Sequence, residues 1–141
     1  PAVQRVFVSP MKRCKQTASL LYPGAKQTAV PNLRECDFGL FEGKNYAELN
    51  GRADYQAWID SGGELPFPEG ESRKTFAARC VAAFRQAMKT VTEENVAFVV
   101  HGGTIMAIME ACAKPPQNYF CWQVKCGEGF ALETDGSWRK L

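Results

Sequence analysis

Apolar positions along this chain follow two rhythms. Short runs such as Arg5-Val6-Phe7-Val8 and Val96-Ala97-Phe98-Val99-Val100 are β-branched or aromatic and end at turn signals, which predicts buried strands. Between them the spacing lengthens to three and four. Met11 to Leu21 reads as a helix closed by Tyr22-Pro23-Gly24. From Glu71 to Val91 the residues Phe76, Cys80, Phe84, Ala87, Met88 and Val91 share one helical face. A second strand falls near Gln27 to Val30, and helical stretches from about Asn45 to Ile59 stop at Ser61-Gly62-Gly63. Leu65 to Gly70 is too rich in proline for a central strand. A helix over Thr104 to Ala113, capped by Thr104, ends at Pro115-Pro116, and Asp135-Gly136 marks the turn of a terminal hairpin.

Strands alternating with helices imply an α/β fold, three-layer α/β/α with a mainly parallel sheet, in which ligands gather beyond the carboxyl ends of the strands. Ser9 and His101 both fall at such ends, so the first βα turn and the His-Gly-Gly turn share one rim. At 141 residues a single domain over 1–141 is expected.

Composition narrows the partners. No apolar run approaches the roughly 20 residues needed to cross a bilayer. A net charge of +2 with both signs interleaved provides no basic face for nucleic acid. The six cysteines include no C-x-x-C pair, and one histidine cannot complete a zinc set, so neither a disulfide framework nor a metal site is expected. Cys80 and Cys112 lie among apolar residues and suit reduced core thiols, which points to the cytoplasm. Cys36, in a loop beside Glu35 and Asp37, is expected to be exposed and unreactive. A homodimer stays open.

The single histidine, His101, follows a strand and precedes Gly102-Gly103-Thr104 and an apolar helix. Glycines there would let the backbone turn and approach a ligand, and backbone N–H groups at a helix start hold phosphate. An imidazole in such a turn can equally cap a carbonyl. Arg13, in the first turn of its helix and on the same side as the strand's end, is a guanidinium that can grip two phosphate oxygens, or a solvated helix residue.

Four motifs in order then carry a resemblance: Ser9-Pro10-Met11-Lys12-Arg13 with Gln16-Thr17-Ala18; Leu33-Arg34-Glu35 through Phe38-Gly39 to Glu42-Gly43; Pro68-Glu69-Gly70-Glu71-Ser72; and Val100-His101-Gly102-Gly103. Together they resemble the histidine phosphatase superfamily, which includes phosphoglycerate mutases and α-ribazole phosphatases, and are most similar to the small α-ribazole phosphatase type. The resemblance implies a phosphoglycerate mutase-like fold and a phosphomonoesterase acting through phospho-histidine on a small phosphorylated metabolite. α-Ribazole 5'-phosphate of cobalamin synthesis is one such metabolite. It implies no cofactor. By motif position Arg13 binds phosphate, His101 steadies the transferring group, Glu35 protonates the leaving oxygen and Gly102 offers a backbone N–H. Arg34 touches substrate or pairs with an acid, Glu42 braces the loop, and Glu71-Ser72 shape the pocket wall. Tyr46, Tyr55, Trp58 and Phe67 form either an apolar wall over the phosphate or ordinary core.

One departure matters. The family's nucleophile sits in an Arg-His-Gly motif on a first strand, and this sequence contains no such motif. Because the chain opens at Pro1 and Val6 to Ser9 matches the family's second strand, the expectation is an N-terminally incomplete enzyme lacking its first strand and helix. Three alternatives remain: mutase-like transfer, a phosphate-binding module without a nucleophile, and His101 as nucleophile itself.

Overall fold

The computed structural model describes residues 2–141, so Pro1 lies outside the described residues. In chain order the regular elements are β1 (Arg5–Val8), α1 (Lys12–Leu21), β2 (Lys26–Ala29), α2 (Tyr46–Leu49), α3 (Ala53–Asp60), α4 (Arg73–Met88), β3 (Val96–Val99), α5 (Gly102–Cys112), β4 (Phe130–Leu132) and β5 (Trp138–Lys140). Short 3-10 turns cover Pro31–Leu33, Gly39–Phe41 and Tyr119–Trp122. The chain divides into two compact units: residues 1–35 with 79–141, and residues 36–78.

The first unit is built on a parallel sheet ordered β2-β1-β3. Arg5 to Val8 pair in step with Lys26 to Ala29 on one side and with Val96 to Val99 on the other. Alternation along β1 sends its side chains to opposite faces. Val6 and Val8 pack with Ala18 of α1, supported by Val3, Tyr22, Ala97 and Val99. Phe7 stacks on Phe98 at 4.8 Å between ring centres, and Phe98 meets Phe84 of α4 at 4.9 Å. Helices on both faces of a parallel sheet make the three layers that the sequence predicts. Further along, β4 and β5 pair antiparallel, and their Phe130 and Trp138 close over Trp122, which is 1% exposed.

The second unit depends on glycine as much as on hydrophobicity. Gly39 has φ +54°, and a Cβ there would collide with the backbone of Pro68 and come within 2.6 Å of the amide nitrogen of Gly70. A Cβ on Gly70 would in turn strike the Asp37 carbonyl. The Phe-Gly and Pro-Glu-Gly motifs are therefore two backbones crossing at contact distance, joined by Leu40 N–H donating to the Pro68 carbonyl at 2.7 Å. Glu42 accepts from the Phe38 N–H at 3.2 Å, the loop brace expected of it. Around this crossing Phe41 meets Tyr55, Trp58 and Phe67 edge to face, and Trp58 stacks on Phe67. Three of the four aromatics weighed as a ligand wall thus pack, half-buried, on Phe41 within this unit, while Tyr46 is 70% exposed.

Three local expectations need correction. His101, not Thr104, stands at the N-cap of α5, with extended φ −94° and ψ 158°, and the helix starts at Gly102. The turn is completed within Val100 and His101, so the glycines are helical and are not needed for the bend. Thr104 lies inside the first turn, fully buried, its Oγ1 3.8 Å from the Cys80 thiol. Cys36 is buried rather than exposed, because the loop that carries it folds inward over a small side chain. Cys112 is only half-buried, since it ends α5 at the rim of the core.

Candidate active site

Parallel pairing brings the site together. The ladder between β1 and β3 continues one step beyond the strands, where the Ser9 N–H donates to the Val99 carbonyl at 3.2 Å. Ser9 and His101, 92 residues apart in sequence, then meet at the carboxyl rim, with Ser9 Oγ 2.8 Å from His101 Nε2. Ser9 is fully buried and His101 is 5% exposed. A buried imidazole needs partners for both ring nitrogens. Its second nitrogen, Nδ1, lies 3.1 Å from Arg13 Nη2 and 3.5 Å from Glu35 Oε2. Arg13 and Glu35 also approach each other, at 3.7 Å.

Each of these side chains is delivered by a different piece of local structure. Arg13 is the second residue of α1, close enough to the end of β1 to lean over the strand tip. Glu35 follows the turn Pro31–Leu33, whose closing bonds run from the Leu33 N–H to the Val30 carbonyl and from the Arg34 N–H to the Pro31 carbonyl. Arg79 of α4 holds the same stretch from outside, donating through Nη1 to the Asn32 carbonyl at 2.7 Å and the Arg34 carbonyl at 3.1 Å. Gly102 places its N–H in the first turn of α5, and a Cβ there would meet nothing within 4 Å.

The charges around His101 pull in opposite directions. Burial pushes its pKa below the ordinary imidazole value; the Glu35 carboxylate raises it and Arg13 lowers it. Cys14, with its thiol 3.7 Å from Nε2, is raised above the usual thiol value by burial, opposed by its hydrogen bond to Ser9 and by the Arg13 charge. A neutral, uncharged wall therefore backs the imidazole. Arg13 and Glu35 occupy its outer side, Arg13 with a side chain 58% exposed. Such an arrangement can accept a tetrahedral anion on the guanidinium, steady it with the imidazole and pass a proton from the carboxyl.

Of the five site residues expected from sequence, Arg13, Glu35 and His101 come together, and Gly102 follows His101 directly. Arg34 donates to Asn32 Oδ1 at 3.2 Å. Ser9 and Cys14 went unassigned in the sequence. The signal for Ser9 was its place at the strand end beside Pro10; nothing in the pattern marked Cys14. Among the described residues no cluster of three or more His, Cys, Asp or Glu side chains could hold a metal ion, and no helix is long and apolar enough to cross a membrane.

Arginine, imidazole and carboxyl thus converge at the carboxyl rim of a parallel sheet in an α/β protein. The chain belongs to the histidine phosphatase superfamily (branch 1), whose family model matches residues 2–137. It is 32% identical over 111 residues to a Hydrogenobacter thermophilus protein provisionally named phosphoserine phosphatase 2, covering 76% of this chain and 54% of that one. Over 115 residues it is also 32% identical to a broad-specificity phosphatase of Saccharomyces cerevisiae, covering 75% of this chain and 47% of the other. The chain thus spans about half the length of the curated relatives it matches. In fold it resembles a provisionally assigned α-ribazole-5'-P phosphatase of Escherichia coli K-12, with a TM-score of 0.83, 18% identity, and coverage of 100% of this chain and 72% of that one. The α-ribazole phosphatase of Shigella flexneri superposes with a TM-score of 0.80 at 20% identity, over 94% of this chain and 69% of that one. At these identities the likeness is one of fold alone.

Proposed function

We propose that these 141 residues carry the phosphate-handling half of a phosphomonoesterase that moves a phosphoryl group from a small metabolite to water through phospho-histidine. The observation that carries this reading is the approach of Arg13 Nη2 and Glu35 Oε2 to the same nitrogen of His101. Arg13 takes two phosphate oxygens, His101 steadies the charge that spreads over the transferring group, and Glu35 gives its proton to the departing alcohol oxygen. The Gly102 N–H supplies one further donor.

His101 is not the attacking group in this reading. Its place after β3 and before Gly102-Gly103 matches the family position of the histidine that steadies the transferring group. The sequence holds no second histidine, so the phosphoryl acceptor has to be a histidine outside these residues. In that setting the P–O bond to the alcohol breaks as a P–N bond forms, and water later cleaves the P–N bond to release inorganic phosphate. The whole of residues 1–141 would then act as one domain in the cytoplasm.

Fold likeness supports α-ribazole 5'-phosphate as a substrate to test, and the curated relatives support phosphoserine and a broad range of esters. The experiment has two arms, both in EDTA. The 141-residue chain is titrated with orthovanadate while the His101 ring signals are followed; it binds, and Arg13→Ala weakens binding at least about tenfold, as expected for a charge-assisted contact. The same chain is offered α-ribazole 5'-phosphate, phosphoserine and phosphoglycerates and turns none of them over. Turnover abolished by His101→Ala would transfer the nucleophile's role to His101, and failure to bind vanadate would end the phosphatase reading.

A further inference from the structure

The tautomer of His101 can be deduced from its surroundings. Arginine carries only donors, so Arg13 Nη2 at 3.1 Å requires a lone pair on Nδ1. Glu35 Oε2 would need a proton on that same nitrogen, but at 3.5 Å it is the weaker claimant. A neutral imidazole then has its one proton on Nε2, facing Ser9 Oγ at 2.8 Å. Ser9 is suited to receive it. Its hydroxyl oxygen also accepts the Met11 N–H at 3.3 Å, so it already serves as an acceptor at this strand end. Ser9 itself cannot swing, being fully buried and anchored through its N–H to Val99.

We propose that Ser9 is a positioning residue, whose hydroxyl takes the Nε2 proton of His101 and so turns the Nδ1 lone pair outward to the face shared by Arg13 and Glu35. Two consequences follow for an anion at that face. Arg13 can leave Nδ1 for phosphate without the ring rotating, because the Nε2 bond still holds it. If the imidazole then gains a proton, Nδ1–H donates to the phosphate oxygen while Nε2–H stays on Ser9, and no buried N–H is orphaned. The second consequence rests on the phosphatase reading; the tautomer does not. The groups facing the ring are Ser9 from the end of β1, Arg13 and Cys14 from α1, and Glu35 from the loop after β2.

A single histidine makes the test unambiguous. The chain is labelled with 15N at the histidine ring and recorded at a pH where the imidazole is neutral. Wild type is expected to show the proton on Nε2. In Ser9→Ala the ratio of Nε2–H to Nδ1–H is expected to fall about tenfold, the effect of losing one ordinary hydrogen bond, with the proton moving towards Glu35. Ser9→Thr, which keeps the hydroxyl, is expected to restore it. A wild-type proton on Nδ1, or a Ser9→Ala spectrum with an unchanged ratio, overturns the assignment. Should Ser9→Ala fail to fold, the wild-type proton position decides by itself. Vanadate added to the labelled protein separates the two readings: unchanged ring signals with the proton still on Nε2 would remove the phosphate site and leave Ser9 in its role.

Discussion

The two compact units solve different problems with different residues. In the first, a hydrophobic ladder comes first and the polar site follows from it. β1 pairs on both sides, Val6, Phe7 and Val8 are almost wholly buried, and the next residue, Ser9, is carried into place by the same register. In the second, two loops cross where no side chain fits, and aromatic rings pack around that crossing. A buried hydrophobic patch tolerates exchange of one apolar group for another of like size, whereas a backbone crossing tolerates nothing beyond hydrogen at Cα. Motifs in the first unit therefore report chemistry, and motifs in the second report geometry. Phe-Gly and Pro-Glu-Gly look as specific as His-Gly-Gly in the sequence, yet they hold a loop and need not touch a ligand.

The comparison can be broken most forcefully at the ladder. Phe7→Ala removes the ring stacked on Phe98 and should cost about 3–5 kcal/mol in urea unfolding, the usual loss for a buried aromatic. Phe7→Leu should recover most of it. Gly39→Ala is next, at about 3 kcal/mol from positive-φ strain together with the clash against Pro68 and Gly70, and here no side chain recovers the loss. Equal tolerance of Ala at Gly39 and Leu at Phe7 would erase the distinction between the units.

A smaller effect should appear with pH. Burial lowers the His101 pKa in the folded chain, so as pH falls through the unfolded value of about 6.5 the unfolded chain takes up its proton first and stability declines. The decline continues until the folded pKa is passed. His101→Gln should flatten that part of the stability profile relative to wild type, and unfolding curves at a series of pH values between neutral and mildly acidic would measure it. Orthovanadate should oppose the decline, because a bound anion favours the protonated ring. Smallest of all is Arg34→Ala, which removes an exposed hydrogen bond to Asn32. Vanadate affinity is expected to change less than about twofold, within the range of an exposed contact; a loss comparable to that of Arg13→Ala would place Arg34 on the anion.

Element by element, periodicity and turn chemistry made most of the fold legible. The apolar face of α4, the strand before His101 and the Asp135-Gly136 hairpin are local patterns, and each appears close to where its residues put it. Arg13 and His101 could be assigned to one rim because both follow parallel strands, a rule of topology rather than of contact. The cap of α5 was misread because Thr104 looks like a capping residue, and only the extended backbone at His101 reveals that the helix had already begun. Burial of Cys36 was invisible for a similar reason: acidic neighbours describe a loop's composition, not the way it folds over a thiol.

By itself, then, the order of residues determined which segments are strands and helices, that the sheet is parallel, and which charged groups sit near its carboxyl rim. Tertiary structure alone decided which nitrogen of His101 faces Ser9 and which faces Arg13 and Glu35, that the Arg34 guanidinium reaches Asn32, and that Tyr55, Trp58 and Phe67 pack on Phe41. The reason is one of range. Hydrophobic periodicity and capping act over a few residues and are written along the chain, while a hydrogen bond between residues 9 and 101 depends on angles and tenths of an ångström set by everything packed in between.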